Sequence, residues 1–273
     1  MKIKAKLALV LIGIVMLVSG GWWVYQSSWK GGDFLIMEVK KERLTFVNIS
    51  PSRGMINSLS VLGSVDLWIP NGMGYYPTSK LQLILEQESN QPNLSKIVAF
   101  YNFGLWPVSI IYNGDWQNNR WLWKNLGPLG WLRFRLQADD WLQKNETISG
   151  DLSLAKESLE EKIPRDMAEN EVIEKNIRLV VINASGKNGF GNMVADRLGW
   201  WGVMVTSVDT REEEDECQIS YNSEVRAEKD ISQKLANILA CRTNGASSGG
   251  MEVVLGKGIE EMIKYSETYV RTF

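Results

Sequence analysis

The chain contains no histidine in 273 residues. That absence excludes a serine–histidine–aspartate triad, a cysteine–histidine dyad and any zinc held by imidazole. Catalysis by this chain would fall to carboxylates, lysine, arginine, tyrosine or a hard metal bound through oxygen. Cysteine is nearly as scarce, with only Cys217 and Cys241. Two thiols cannot make a four-thiolate zinc site, and these are not spaced as CxxC. The sequence therefore predicts no metal site and no resident cofactor. Concentrated positive charge is also missing. The formal net charge is −2, and the N-terminal Lys2, Lys4 and Lys6 form the one basic cluster. Nucleic acid needs a concentrated positive surface, so it is not an expected partner.

Residues 7–29, LALVLIGIVMLVSGGWWVYQSSW, carry no charged side chain. A helix of ~20 apolar residues crosses a bilayer core. Basic residues stay on the cytoplasmic side, and tryptophan and tyrosine favour the interface. The expectation is a single-pass transmembrane helix over 7–29, with residues 1–6 cytoplasmic and the bulk extracytoplasmic. The alternative is a cleaved signal peptide, whose apolar region is usually ~7–15 residues ending in small residues. The small cluster here, Ser19-Gly20-Gly21, runs directly into Trp22 and Trp23.

The length of the remainder suits two modest domains or one large one, and its pattern reads as two α/β (α+β) domains. FLIMEV and RLTFVNIS read as strands, PSRGMINS as a loop, and DLWI as a strand ended by Pro70. KLQLILEQE reads as a helix. KIVAFYNFG is helix or strand, because periodicity cannot decide over so short a run. Residues 115–149 hold Trp116, Trp121, Trp123, Trp131 and Trp141, broken by Gly127-Pro128 and Gly130, and read as short helices packed by aromatics. This gives a Trp-rich mixed α/β domain over 34–150. Residues 151–176 are densely charged and predict a solvated helical linker. After them, over 177–273, the pattern is β-α-β-β-α-β, matching a ferredoxin-like split βαβ domain.

Few residues suggest chemistry. The loop Asn183-Ala-Ser-Gly-Lys-Asn-Gly-Phe-Gly191 follows a strand and opens a helix. Gly186, Lys187, Asn188, Gly189 and Gly191 are therefore candidate anion ligands through backbone N–H groups. The loop is neither GxxxxGK[ST] nor GxGxxG, and its glycines equally suit a plain strand-to-helix turn. The acidic run from Arg211 to Glu216 lacks calcium-loop spacing and predicts a solvated hairpin turn. Arg133 and Arg135 near Trp131 could pair with phosphate, but a surface role or aromatic stacking is the plainer reading. Cys217 opens the third strand of the last domain and Cys241 ends the following helix, so both fall at one end. They form a disulfide if their Cα atoms lie within ~7 Å, and are otherwise two buried thiols.

The ordered set RLVVINASGKNGFGNMVADRLGWWGVMVTSVDT, CQISY, AEKDISQKLANIL and MEVVLGKG resembles the C-terminal domain of LytR-type envelope proteins, over about residues 177–264. That resemblance implies an extracytoplasmic accessory domain without catalytic residues to transfer. FLIMEVKKERLTFVNISPSRG is similar to the paired strands before the Ser-Ile-Pro-Arg-Asp signature of LytR-CpsA-Psr domains. Those domains are phosphotransferases that attach lipid-linked glycopolymers to the cell wall with arginines, aspartates and Mg²⁺. Here the order is Ile49-Ser50-Pro51-Ser52-Arg53-Gly54. Arg53 is thus the one weak catalytic candidate, and Gly54 stands where the aspartate would follow.

Together these expectations describe a membrane-anchored binding or assembly module of cell-wall biogenesis, more a non-enzyme than an enzyme. An envelope glycan, a polyprenyl lipid or an envelope protein is the expected partner. The alternatives are a Mg²⁺-dependent glycopolymer phosphotransferase and a structural anchor that docks a partner protein.

Overall fold

The computed structural model describes residues 16, 18–22, 24, 32–51, 53–70, 73–87, 91–149, 167, 170–245 and 250–257. Most of the 7–29 run, most of the 151–176 linker and the chain after 257 lie outside the described residues. Residues 16, 18–22 and 24 are helical. Among the described residues no helix is long and apolar enough to cross a membrane.

The first unit is built on a five-stranded sheet. β1 (Phe34–Lys40), β2 (Arg43–Ser50) and β3 (Met55–Leu62) form an antiparallel meander. β6 (Ser109–Tyr112) adds parallel to β1, and β7 (Leu142–Ile148) parallel to β3, giving the order β6-β1-β2-β3-β7. Strand residues alternate between faces, and this sheet buries both. Met37, Val39, Leu44, Phe46, Leu59 and Val61 face α1 (Thr78–Gln87) and α2 (Gln91–Phe103). Ile36, Val47, Ile49 and Ile56 face α3 (Asn119–Gln137) through Leu122, Leu126, Phe134 and Ala138. A small hairpin of β4 (Asp66–Ile69) and β5 (Gly74–Pro77) lies between β3 and α1 in the chain.

Several expectations change here. The stretch read as a loop at 51–58 is a tight turn followed directly by β3. Gly54 takes φ 60° there, a conformation glycine adopts without a Cβ penalty. The ambiguous segment around 96–104 belongs to α2. The short helices expected over 115–149 are present, since α3 is two of them broken where Gly127 takes the non-helical φ 69°, ψ 172° before Pro128, but strand β7 follows them unforeseen. Asn118 caps α3 by accepting from the Arg120 N–H at 2.9 Å. Within the expected solvated linker, Met167 is buried in the core under α1 and α2.

The second unit begins after the short α4 (Asn170–Lys175). β8 (Arg178–Asn183), α5 (Phe190–Trp201) and β9 (Met204–Thr210) follow, then β10 (Gln218–Ser220), α6 (Arg226–Leu239), β11 (Arg242–Asn244) and β12 (Met251–Leu255). The sheet order is β11-β10-β12-β8-β9. This corrects the ferredoxin-like expectation. In a split βαβ the first two strands are separated by a third, whereas here β8 pairs directly and in parallel with β9, and also with β12. The added strand β11 arises because α6 stops at Ala240, which takes φ 51°. The chain then runs parallel to β10. Gly202 ends α5 at φ 112°, with its N–H on the Leu198 carbonyl.

The two units share one core. Trp68, Phe100 and Tyr101 of the first pack with Leu179, Leu198, Trp201, Ile231 and Leu235 of the second.

Candidate functional sites

The glycine loop sits at the carboxyl end of β8, where open α/β sheets commonly place ligands. Asn183, Ser185 and Lys187 bond to one another there. Asn183 Nδ2 donates to the Lys187 carbonyl at 2.7 Å, and Asn183 Oδ1 accepts from Ser185 Oγ at 2.7 Å. The Lys187 N–H donates to Ser185 Oγ at 3.2 Å. Gly186 and Gly189 take φ 78° and 79°. Gly191 lets α5 approach β8 and β9 closely, since an added Cβ would stand 3.0 Å from Asn183 Cβ and from a Val208 methyl.

The acidic segment is not a hairpin turn. β9 lies at one edge of the sheet and β10 beyond β12, so residues 211–217 cross the strand ends. The Arg211 N–H donates to the Asn183 carbonyl at 3.1 Å, and the Glu214 N–H to the Ala184 carbonyl at 2.9 Å. Glu213 lies directly over Gly186, with its carboxylate on Lys257 Nζ at 2.5 Å. The hydrogen bond and charge of Lys257, with a contribution from Lys187, hold the Glu213 carboxyl below the usual range. A carboxylate, rather than an open cradle, therefore covers the loop carrying Gly186, Lys187 and Asn188.

Cys217 and Cys241 are joined as a disulfide with Cα atoms 4.7 Å apart. The bridge lies where β10 and β11 begin, and the Arg242 N–H donates to the Cys217 carbonyl at 3.0 Å. Both cysteines belong to the core of the second unit.

Arg53 occupies the β2–β3 turn, its N–H on the Ser50 carbonyl at 3.3 Å. Ser50 Oγ donates to Asp33 Oδ1 at 2.6 Å. Arg53 and Asp33 thus lie at the same end of the first sheet, far in topology from the glycine loop. Among the described residues no group of three or more carboxylates or thiols could hold a metal ion.

Two features escaped the sequence reading. Glu38 is 3% exposed. Its carboxylate accepts from Lys40 Nζ at 3.0 Å and from the Trp116 N–H at 2.5 Å, and a buried charge survives only with such partners. The pair tethers the approach to α3. A carboxylate two residues from a lysine on one strand face was the available signal. The second feature is a small cleft between the units, lined by Asp33, Asn48, Leu105, Trp106, Met167 and Trp201. Its volume is about 20 Å³, room for roughly one water. In the core shared by the two units, burial pushes the Tyr101 hydroxyl far above its ordinary ionisation range.

The second unit is an α/β domain with parallel strands at its centre, a self-bonded glycine loop and a stapled edge. Residues 176–258 match the family model described as "LytR cell envelope-related transcriptional attenuator", so this segment is a LytR C-terminal domain. No curated protein matches the chain. Among solved structures the chain is similar to "LytR-CPS2A-psr family protein YwtF (TagT) with bound octaprenyl pyrophosphate lipid", at 11% identity over 77% of this chain and 91% of that one, with a TM-score of 0.24.

Proposed function

We propose that the chain is a membrane-anchored, extracytoplasmic binding or assembly module of the cell envelope, without phosphotransfer of its own. The observation that carries this is the LytR C-terminal domain at 176–258, coincident with the folded sheet from Arg178 to Leu255. The apolar run at 7–29 supports membrane attachment, and the disulfide suits an oxidising compartment. The partner would be a wall glycan, a polyprenyl-linked precursor or an envelope protein.

The first unit supports the non-enzymatic side. Gly54 follows Arg53, and its φ of 60° serves the turn. The test is to incubate the full chain, in detergent or nanodiscs, with Mg²⁺, a polyprenyl-pyrophosphate glycan and wall acceptor. No transfer is expected, while the labelled precursor, wall glycan or an envelope protein is retained. Transfer lost in Arg53→Ala would replace the module with the phosphotransferase. Retention of none of the three would end the module reading.

A further inference from the structure

We propose that the outward face of the second half of α3 docks onto an anionic lipid surface. After the kink at Gly127-Pro128 this half-helix is apolar on two sides. Phe134 and Ala138 are buried against the sheet. Leu129, Leu132 and Leu136 are 46%, 47% and 73% exposed. Their spacing of i, i+3, i+7 puts them on one stripe. Each residue turns the helix by about 100°, so Arg133 and Arg135 stand on opposite flanks of that stripe. Both arginines are exposed. The whole of α3, NRWLWKNLGPLGWLRFRLQ, contains Arg120, Lys124, Arg133 and Arg135 and no acidic residue, in a chain of net charge −2. Leucines between arginines are the chemistry of a helix lying in a bilayer interface, with the apolar stripe in the acyl boundary and guanidinium groups at phosphates.

The topology indicates where that surface is. Phe34 opens β1 opposite Ile49, and Met55 opens β3 opposite Leu142. The β1 start, the β2–β3 turn and the C-terminal end of α3, which leads into Leu142, therefore share one end of the domain. Only residues 30–33 separate that end from the 7–29 run. Four residues reach about 14 Å when fully extended. A bilayer holding residues 7–29 thus lies beside Leu136. The placement rests on the membrane attachment proposed above, while the two-faced helix stands without it.

The experiment uses the full chain reconstituted into vesicles. Its two cysteines are bonded to each other, so an introduced cysteine is the sole thiol to spin-label. Leu132→Cys and Leu136→Cys report the stripe. Leu83→Cys is the control, because Leu83 is an exposed leucine on α1, across the sheet from α3. In phosphatidylcholine–phosphatidylglycerol vesicles, labels at 132 and 136 should collide more with oxygen than with a water-soluble nickel chelate, and the label at 83 the reverse. Phosphatidylcholine alone, or Arg133→Glu with Arg135→Glu, should return the 132 label to the aqueous ratio. An aqueous ratio at 132 and 136 in anionic vesicles that do carry the protein overturns the docking but leaves the attachment intact. Failure to float with the vesicles overturns both. Protection from both collision partners also overturns the docking, since it marks another protein surface as the occupant. Lipid contact unchanged by charge reversal overturns the anionic requirement.

Discussion

Glu213 shows what a single side chain can decide. It is an exposed carboxylate, yet it lies over Gly186 and pairs with Lys257. Because its folded pKa is lowered, the ionised form is favoured in the native state. Its contribution to stability is present above the unfolded carboxyl value and fades as pH falls through the lower folded value. Lys257→Met should raise the Glu213 midpoint toward that of an ordinary glutamate, read from its side-chain carboxyl resonance. High salt should do the same in the unmodified chain, because exposed pairs are screened. A midpoint indifferent to both would remove Lys257 as the cause. None of this was legible in the sequence. The run from Arg211 to Glu216 looks like any acidic turn, and only the strand order places it across the glycine loop.

Among the elements, the strands that bury both faces were the most legible. FLIMEV and RLTFVNIS announce themselves by β-branched and aromatic content. Helix α5 was equally clear, with Gly199 and Gly202 as its candidate ends, of which Gly202 closes it. Among the elements that were missed, β3 does alternate, with Leu59 and Val61 buried and Ser58 and Ser60 between them less so, but the turn signals of Pro51 and Gly54 masked its start. β11 and β7 lack a period to detect. β11 is three exposed residues, Arg242–Asn244, and β7 is mostly polar along an edge. β11 is held by β10 on one side and by the disulfide just before it. The bridge spans 24 positions and should contribute ~3 kcal/mol in the chain-entropy model. Replacing both cysteines by serine should lower the urea midpoint accordingly. Amide exchange at Thr243 should rise more than at Val253 in the central β12, where backbone bonds are made on both sides. A uniform rise across the sheet would show that the staple acts on the whole fold rather than on this edge.

At the scale of the molecule, a domain boundary within the charged segment predicts two units but not how they fuse. Composition marks a change of character and carries nothing about shared packing. Arg197, buried on α5, donates from Nε to the Tyr101 carbonyl at 2.6 Å, and its guanidinium lies 4.0 Å from the Trp200 ring centre. Gly104 closes α2 at φ 65°, where an added Cβ would stand 2.5 Å from Trp200 Cβ and 2.9 Å from the Arg197 carbonyl. Contact this close lets Trp68, Phe100 and Tyr101 enter the core of the second unit. Gly104→Ala meets both a strained φ and a backbone neighbour, so it should cost more than about 1 kcal/mol. If the core is continuous, urea unfolding followed by tryptophan fluorescence and by far-ultraviolet circular dichroism should give one coincident transition, shifted as a whole by the alanine. Two separated transitions, with only one of them moved, would show that the LytR C-terminal domain folds independently and that the Arg197–Tyr101 contact joins two finished units.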